Sequence, residues 1–206
     1  MIFLIFLCIY GTFHLYFFIK VKNTFPALTL GGLLLLSLFL GLMMTGPFLL
    51  RLMEYGLPDG YTRFFAHLIY FWMGFIFLFF ILSLLVDIII CFNFLIEHIT
   101  HYRHSLWRPP RAVCFYVPVC LALLICFYGI YEAAHPQIRH WIIETEKAPP
   151  QEKPFRVVQI TDVHFGIAMT NKQARRIVAA VRETQPDLLV CTGDILDGRP
   201  RSLFPQ

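Results

Sequence analysis

The chain has 206 residues, 58% of them hydrophobic and 17% aromatic, an apolar share well above that of an ordinary soluble domain. Its formal net charge is +4 and it carries no dense basic run, which leaves nucleic-acid binding without support. Of its thirty Asp, Glu, Lys and Arg residues, eleven lie in the first 131 positions and nineteen in the last 75, so a membrane-embedded region precedes a water-exposed one.

A helix needs roughly 20 apolar residues to cross about 30 Å of hydrocarbon. Helices are expected over about 2–19, 27–50, 66–96 and 112–131, which makes residues 1–131 a four-helix transmembrane region. The first holds His14 as its only strongly polar side chain. It lacks the basic start and small-residue cleavage site of a signal peptide, and more spans follow it. The second is expected to kink or end near Pro47. The third exceeds one straight crossing. The fourth is uncharged, and its Pro118 is tolerable inside a membrane helix. Cys8, Cys91, Cys114, Cys120 and Cys126 fall inside these apolar runs, where cysteine acts as a small hydrophobe. Cys191 falls in an expected buried strand, and no CxxC pair occurs.

Orientation follows from the short-loop cations. Lys20 and Lys22 in the first loop, with Arg103, Arg108 and Arg111 in the third, outweigh Arg51 and Arg63 in the second. Loops one and three are therefore expected in the cytoplasm, and the soluble C-terminal part on the outer face of the cell membrane. Asp87, in LLVDIII, costs about 2.5–3.5 kcal/mol at a bilayer centre, while each neighbouring Leu or Ile returns about 0.3–0.6. The helix inserts regardless. Asp87 either sits near an interface or marks a proton or ion path. His98, His101 and His104 would fan over about 120° of a helix, poor convergence for one metal, and read as a polar juxtamembrane loop. Gly41 and Gly46 lack the spacing of the helix-pairing motif.

Residues 132–153 are charged and include Pro149 and Pro150, as expected of a partly extended linker. Its Trp141, Ile142 and Ile143 suit either the membrane interface or the face of a soluble domain. Residues 154–206 then read as a βαβ unit. Phe155–Thr161 is a short, continuous apolar run of the kind buried on both faces of a parallel sheet. Thr170 and Gln173 form a capping box, and Ala174, Ile177, Val178 and Val181 make one apolar helical face opposite Lys172, Arg175, Arg176 and Arg182. Pro186 stops the helix, and Leu188–Thr192 is the second strand.

This order places Asp162 and His164 after the carboxyl end of one strand and Gly193 and Asp194 after the next, where open α/β sheets bind ligands. Carboxylate and imidazole together suit Mn, Fe or Zn better than Ca. A carboxylate can also bridge two ions in a two-metal hydrolase. Gly193 lets backbone and ion approach without a Cβ between them.

With ITDVHFG and CTGDILDG about thirty residues apart, the segment resembles the first two motifs of the calcineurin-like metallophosphoesterases. Four preceding helices and a proline-bearing linker look like the membrane-anchored bacterial subgroup of YkuE-like and YaeI-like phosphodiesterases. The resemblance implies an α/β metallophosphoesterase fold of which only the first βαβ unit is present. It implies two divalent ions, Asp162 and His164 binding the first and Asp194 bridging both, and hydrolysis of a phosphomonoester or phosphodiester. Asp197 and Gly198 fit the loop after the second motif. Membrane anchoring makes a lipid-linked phosphate a candidate substrate.

The family's later motifs, Gly-Asn-His-Asp/Glu and Gly-His-x-His, do not occur. The chain is thus expected to be an inactive N-terminal fragment with a poorly stable half-domain, since two strands cannot cover both faces of a sheet. Two other roles compete: a non-enzymatic multi-pass protein with a remnant C-terminal segment, and a small transporter using Asp87 and His14. Neither accounts for the paired motifs.

Overall fold

A computed structural model describes residues 2–56, 59–100, 109–145, 154–166, 169 and 171–196. The chain divides into two compact units, Met1–Gly56 with His67–Gly129, and Leu57–Ala66 with Ile130–Gln206.

The first unit is built on α1 (Ile2–Thr24), α2 (Leu30–Gly56), α3 (Asp59–Thr100) and α4 (Arg111–Ala133). All four are long and apolar enough to cross a membrane. Phe3 and Phe6 meet Phe48, while Phe71 meets Phe127 and Phe79 meets Phe115, so successive helices run antiparallel. Lipid tails are as apolar as the side chains, so packing geometry rather than hydrophobicity holds such helices together. Aromatic rings supply that packing. Phe17 lies edge-on to Phe79 at 4.9 Å, and Phe75, Phe79, Phe115 and Ala122 form the buried centre.

The helix ends differ from expectation for identifiable reasons. α2 runs through Pro47 to Gly56 instead of ending there. Pro47 has no N–H for the carbonyl of Met43, and Tyr10 Oη of α1 donates to that oxygen at 3.4 Å. Pro118 likewise lies inside α4 and is buried. α1 continues past Ile19 to Thr24, so Lys20 and Lys22 belong to its last turns and not to a loop. α3, at 42 residues, extends both ways beyond the expected span.

Asp87 is not a bare charge. Its carboxylate accepts hydrogen bonds from Tyr16 Oη at 2.6 Å and Lys20 Nζ at 2.5 Å. Eight residues of α3 separate it from Phe79, about 12 Å along the axis. That offset is toward the α1–α2 turn. His14 is also committed. Its Nδ1 bonds Tyr10 O at 2.8 Å and its Nε2 lies 3.0 Å from Trp72 Nε1. Indole N–H only donates, so Nε2 accepts and the proton is on Nδ1. Both groups named for a transporter thus act as ties between α1 and α3. Gly46 matters despite its unpromising spacing, because a Cβ there would come within 3.1 Å of Ile69 Cγ1. His98 stacks on Phe94, whereas His101 and His104 lie outside the described residues.

The second unit contains β1 (Val157–Thr161), α5 (Asn171–Glu183) and β2 (Leu188–Thr192). The strands pair in parallel, Val157 opposite Leu188 through Thr161 opposite Thr192. β1 starts two residues later than expected, α5 stops at Glu183, and the expected cap Thr170 lies outside the described residues. Expected burial on both strand faces does not occur. No described residue from 154 to 196 is buried, and Cys191 is exposed. One helix covers at most one face of a two-stranded sheet, and a continuous apolar run signals double burial only where layers exist on both sides.

Candidate metal centre

Pairing does not stop where the strands end. Beyond Thr161 and Thr192 come two tripeptides, Asp162-Val163-His164 and Gly193-Asp194-Ile195, and then a parallel bridge between Phe165 and Leu196. Three backbone bonds hold the tripeptides side by side. Asp162 N donates to Thr192 O at 3.3 Å, His164 N to Asp194 O at 3.1 Å and Phe165 N to Ile195 O at 2.7 Å. The two motifs are therefore in register along one sheet edge, as continuations of the ladder.

The backbone here is unusual. Asp162 and His164 both have φ of 49°, and Gly193 has φ of 71°. Asp and His are among the few non-glycine residues that visit this left-handed region, at a cost of order 1–3 kcal/mol each. The kinks change what each side chain faces. Asp162 turns across to β2, where its Oδ1 accepts the N–H of Asp194 at 3.2 Å, and its Oδ2 accepts the hydroxyl of Thr161 at 2.7 Å. A Cβ on Gly193 would stand 2.8 Å from Asp162 Cγ and 2.9 Å from Thr161 Oγ1, and nearer still to Oδ1. Glycine at 193 is thus required by both φ and space.

These contacts set the charge of the site. The Thr161 hydroxyl, then the Asp194 N–H, and less strongly the His164 ring hold the Asp162 carboxyl below the usual aspartate range. Asp162 is accordingly a carboxylate at neutral pH. A carboxylate has about four lone-pair sites, so two remain for an outside cation.

Asp162, His164, Gly193 and Asp194 are brought to one place, and all four residues are exposed. Asp197 lies outside the described residues, and Asp87 is tied to Lys20 in the helical unit. The donor chemistry and the Gly193 cradle suit a divalent ion. Among the described residues, however, no three His, Cys, Asp or Glu side chains converge closely enough to hold one.

Sequence reading missed the supports. Thr161 orients Asp162, and its only signal was its place between an apolar run and an acid. At the other end of the sheet Arg156 N donates to Asp187 Oδ2 at 2.7 Å, and Asp187 N and Leu188 N return to Arg156 O at 2.9 and 3.1 Å. That staple fixes the register that aligns the two motifs.

Residues 155–204 match the calcineurin-like phosphoesterase family. The chain is 31% identical over 80 residues to a transmembrane protein with metallophosphoesterase domain from Danio rerio, covering 38% of this chain and 18% of that protein. It is 29% identical over 83 residues to an uncharacterized metallophosphoesterase of Aquifex aeolicus, covering 40% and 31% respectively. It is 37% identical over 43 residues to the uncharacterized metallophosphoesterase YkuE of Bacillus subtilis, covering 21% and 15%. The matches thus span less than a third of each curated relative. No solved structure matches significantly.

Proposed function

We propose that the calcineurin-like phosphoesterase segment, residues 155–204, supplies the first ligands of a two-metal phosphate-ester hydrolase anchored by four transmembrane helices. Asp162 and His164 would hold the first divalent ion (Mn, Fe or Zn), and Asp194 would be a ligand shared with the second. Bound ions would polarise the phosphoryl group of the ester and ease attack by water. The chain's own contribution is positioning. Thr161 and the Asp194 N–H keep the Asp162 carboxylate charged and aimed, and Gly193 leaves the space before it open. The observation that carries this reading is the in-register pairing of the two motifs beyond the strand ends. A lipid-linked phosphate is the substrate class that membrane anchoring favours.

The test is Mn²⁺ binding to the chain reconstituted in vesicles, followed by electron paramagnetic resonance. Asp162→Asn and Asp194→Asn should each weaken binding about tenfold or more. Unchanged affinity in both variants would overturn the assignment. Hydrolysis of a model phosphodiester is expected to be negligible even with Mn²⁺ bound, because among the described residues no three ligand side chains are assembled around one ion, let alone two.

A second reading makes the segment a non-enzymatic interaction element of a multi-pass membrane protein. That reading predicts no specific Mn²⁺ binding at all.

A further inference from the structure

Trp141, Ile142 and Ile143 are 82%, 91% and 85% exposed. Three consecutive large apolar side chains standing in water are costly, and their nearness to a membrane exit suggests what covers them. α4 ends at Ala133, and Trp141 follows eight residues later, within about 28 Å even if the chain between is fully extended. Trp is enriched at membrane–water interfaces, where its ring suits a region apolar on one side and wet on the other. Arg139 and His140 precede the triplet, and both are exposed.

A second observation brings α5 toward the same level. Arg176 Nη1 donates to the carbonyl of Ala134, one residue past the end of α4. A guanidinium there meets the negative end of the helix dipole. Arg176 thus ties α5 to the residue that follows α4, both within the second unit. On α5, Lys172, Arg175 and Arg182 are exposed and fall within about 80° of arc. Cations so placed complement anionic lipid headgroups.

We infer that Trp141, Ile142 and Ile143 insert into the interfacial zone of the protein's own bilayer, and that Lys172, Arg175 and Arg182 rest on its anionic headgroups. The occupant of the exposed triplet is lipid.

The experiment uses the full chain in vesicles of phosphatidylcholine, with and without phosphatidylglycerol. The emission of Trp141 is isolated as the difference between the parent chain and Trp141→Phe, an exposed substitution that leaves the fold intact. The inference expects a blue-shifted difference signal that brominated lipid quenches and aqueous acrylamide does not, and it expects phosphatidylglycerol to strengthen the quenching. Lys172→Gln, Arg175→Gln and Arg182→Gln should each lower the ratio of bilayer-engaged to free signal about fivefold in the anionic vesicles only. A signal quenched by acrylamide and untouched by brominated lipid would overturn it. So would a blue shift that depends on protein-to-lipid ratio without brominated-lipid quenching, which would assign the triplet to a second copy of the chain.

Discussion

The Asp162 carboxylate accepts the backbone N–H of Asp194 across the end of the sheet, at 3.2 Å. A side chain from the first motif is thereby fixed by the main chain of the second, so the two cannot move independently. The bond exists because φ of 49° at Asp162 turns the side chain toward β2, and because residue 193 has no Cβ in the way. Strain at a site is informative when something holds it in place. Here the ladder bonds on either side do so.

Gly193→Ala tests that coupling. Alanine at φ of 71° costs about 1–2 kcal/mol, and its Cβ would displace the Asp162 carboxylate. Mn²⁺ affinity should fall about tenfold or more. Amide exchange at Phe165 should speed up, since its bond to Ile195 closes the same knot. Parent-like affinity with unchanged exchange would show that glycine is dispensable there.

Thr161→Val removes the largest of the contacts that depress the Asp162 carboxyl. A depressed folded value means that the ionised form adds stability above the ordinary aspartate range and loses it as pH falls through the folded value. In the variant that loss should be smaller and should be complete at higher pH. Carboxyl-carbon chemical shifts followed through an acid titration would reveal the move, and an unmoved midpoint would assign the depression elsewhere.

Much of this molecule can be read from its sequence, and the failures share causes. Four apolar runs announce four helices because a single segment in lipid satisfies its own backbone groups only as a helix. Their ends were misjudged because Lys20 reads as a stop, whereas a long stem can reach from inside a helix to Asp87. The βαβ order follows from the 3.6-residue period between two short apolar runs, and it places Asp162, His164 and Asp194 on one edge. What no periodicity reveals is the backbone turn at Asp162 and His164, or the Arg156–Asp187 staple between residues 31 apart. Conformation at single residues and pairing between distant ones are tertiary properties. Of the whole knot only Gly193 left a local trace, as a glycine beside an acid.

In the helical unit, Tyr10 and Pro47 should be energetically coupled although they do not bond each other. Tyr10→Phe leaves Met43 O without the hydroxyl that replaces its missing helical partner, and should cost about 0.5–1 kcal/mol. In a Pro47→Ala background the helix supplies its own N–H, and the same Tyr10→Phe change should be close to neutral. Thermal unfolding in detergent of the four chains in this cycle gives the coupling. Equal costs in both backgrounds would mean that the hydroxyl does not serve that carbonyl.

Lys20 and Asp87 offer the last test, because it separates a structural tie from a transport path. Lys20 is 16% exposed and Asp87 40%, so the pair is partly shielded, and Tyr16 adds a second donor to the carboxylate. Removing one partner strands the other charge. Lys20→Met or Asp87→Leu alone should therefore destabilise the bundle by about 1–3 kcal/mol. Replacing both removes the stranded charge and should recover most of that loss, since apolar pairs of similar shape often match ion pairs in stability. A transport role predicts a different pattern. The double variant would then be stable but unable to sustain proton or cation flux across vesicles that the parent supports. With Asp87 already engaged by Lys20 and Tyr16, we expect no flux in parent or variant and a recovery visible only in the unfolding temperature.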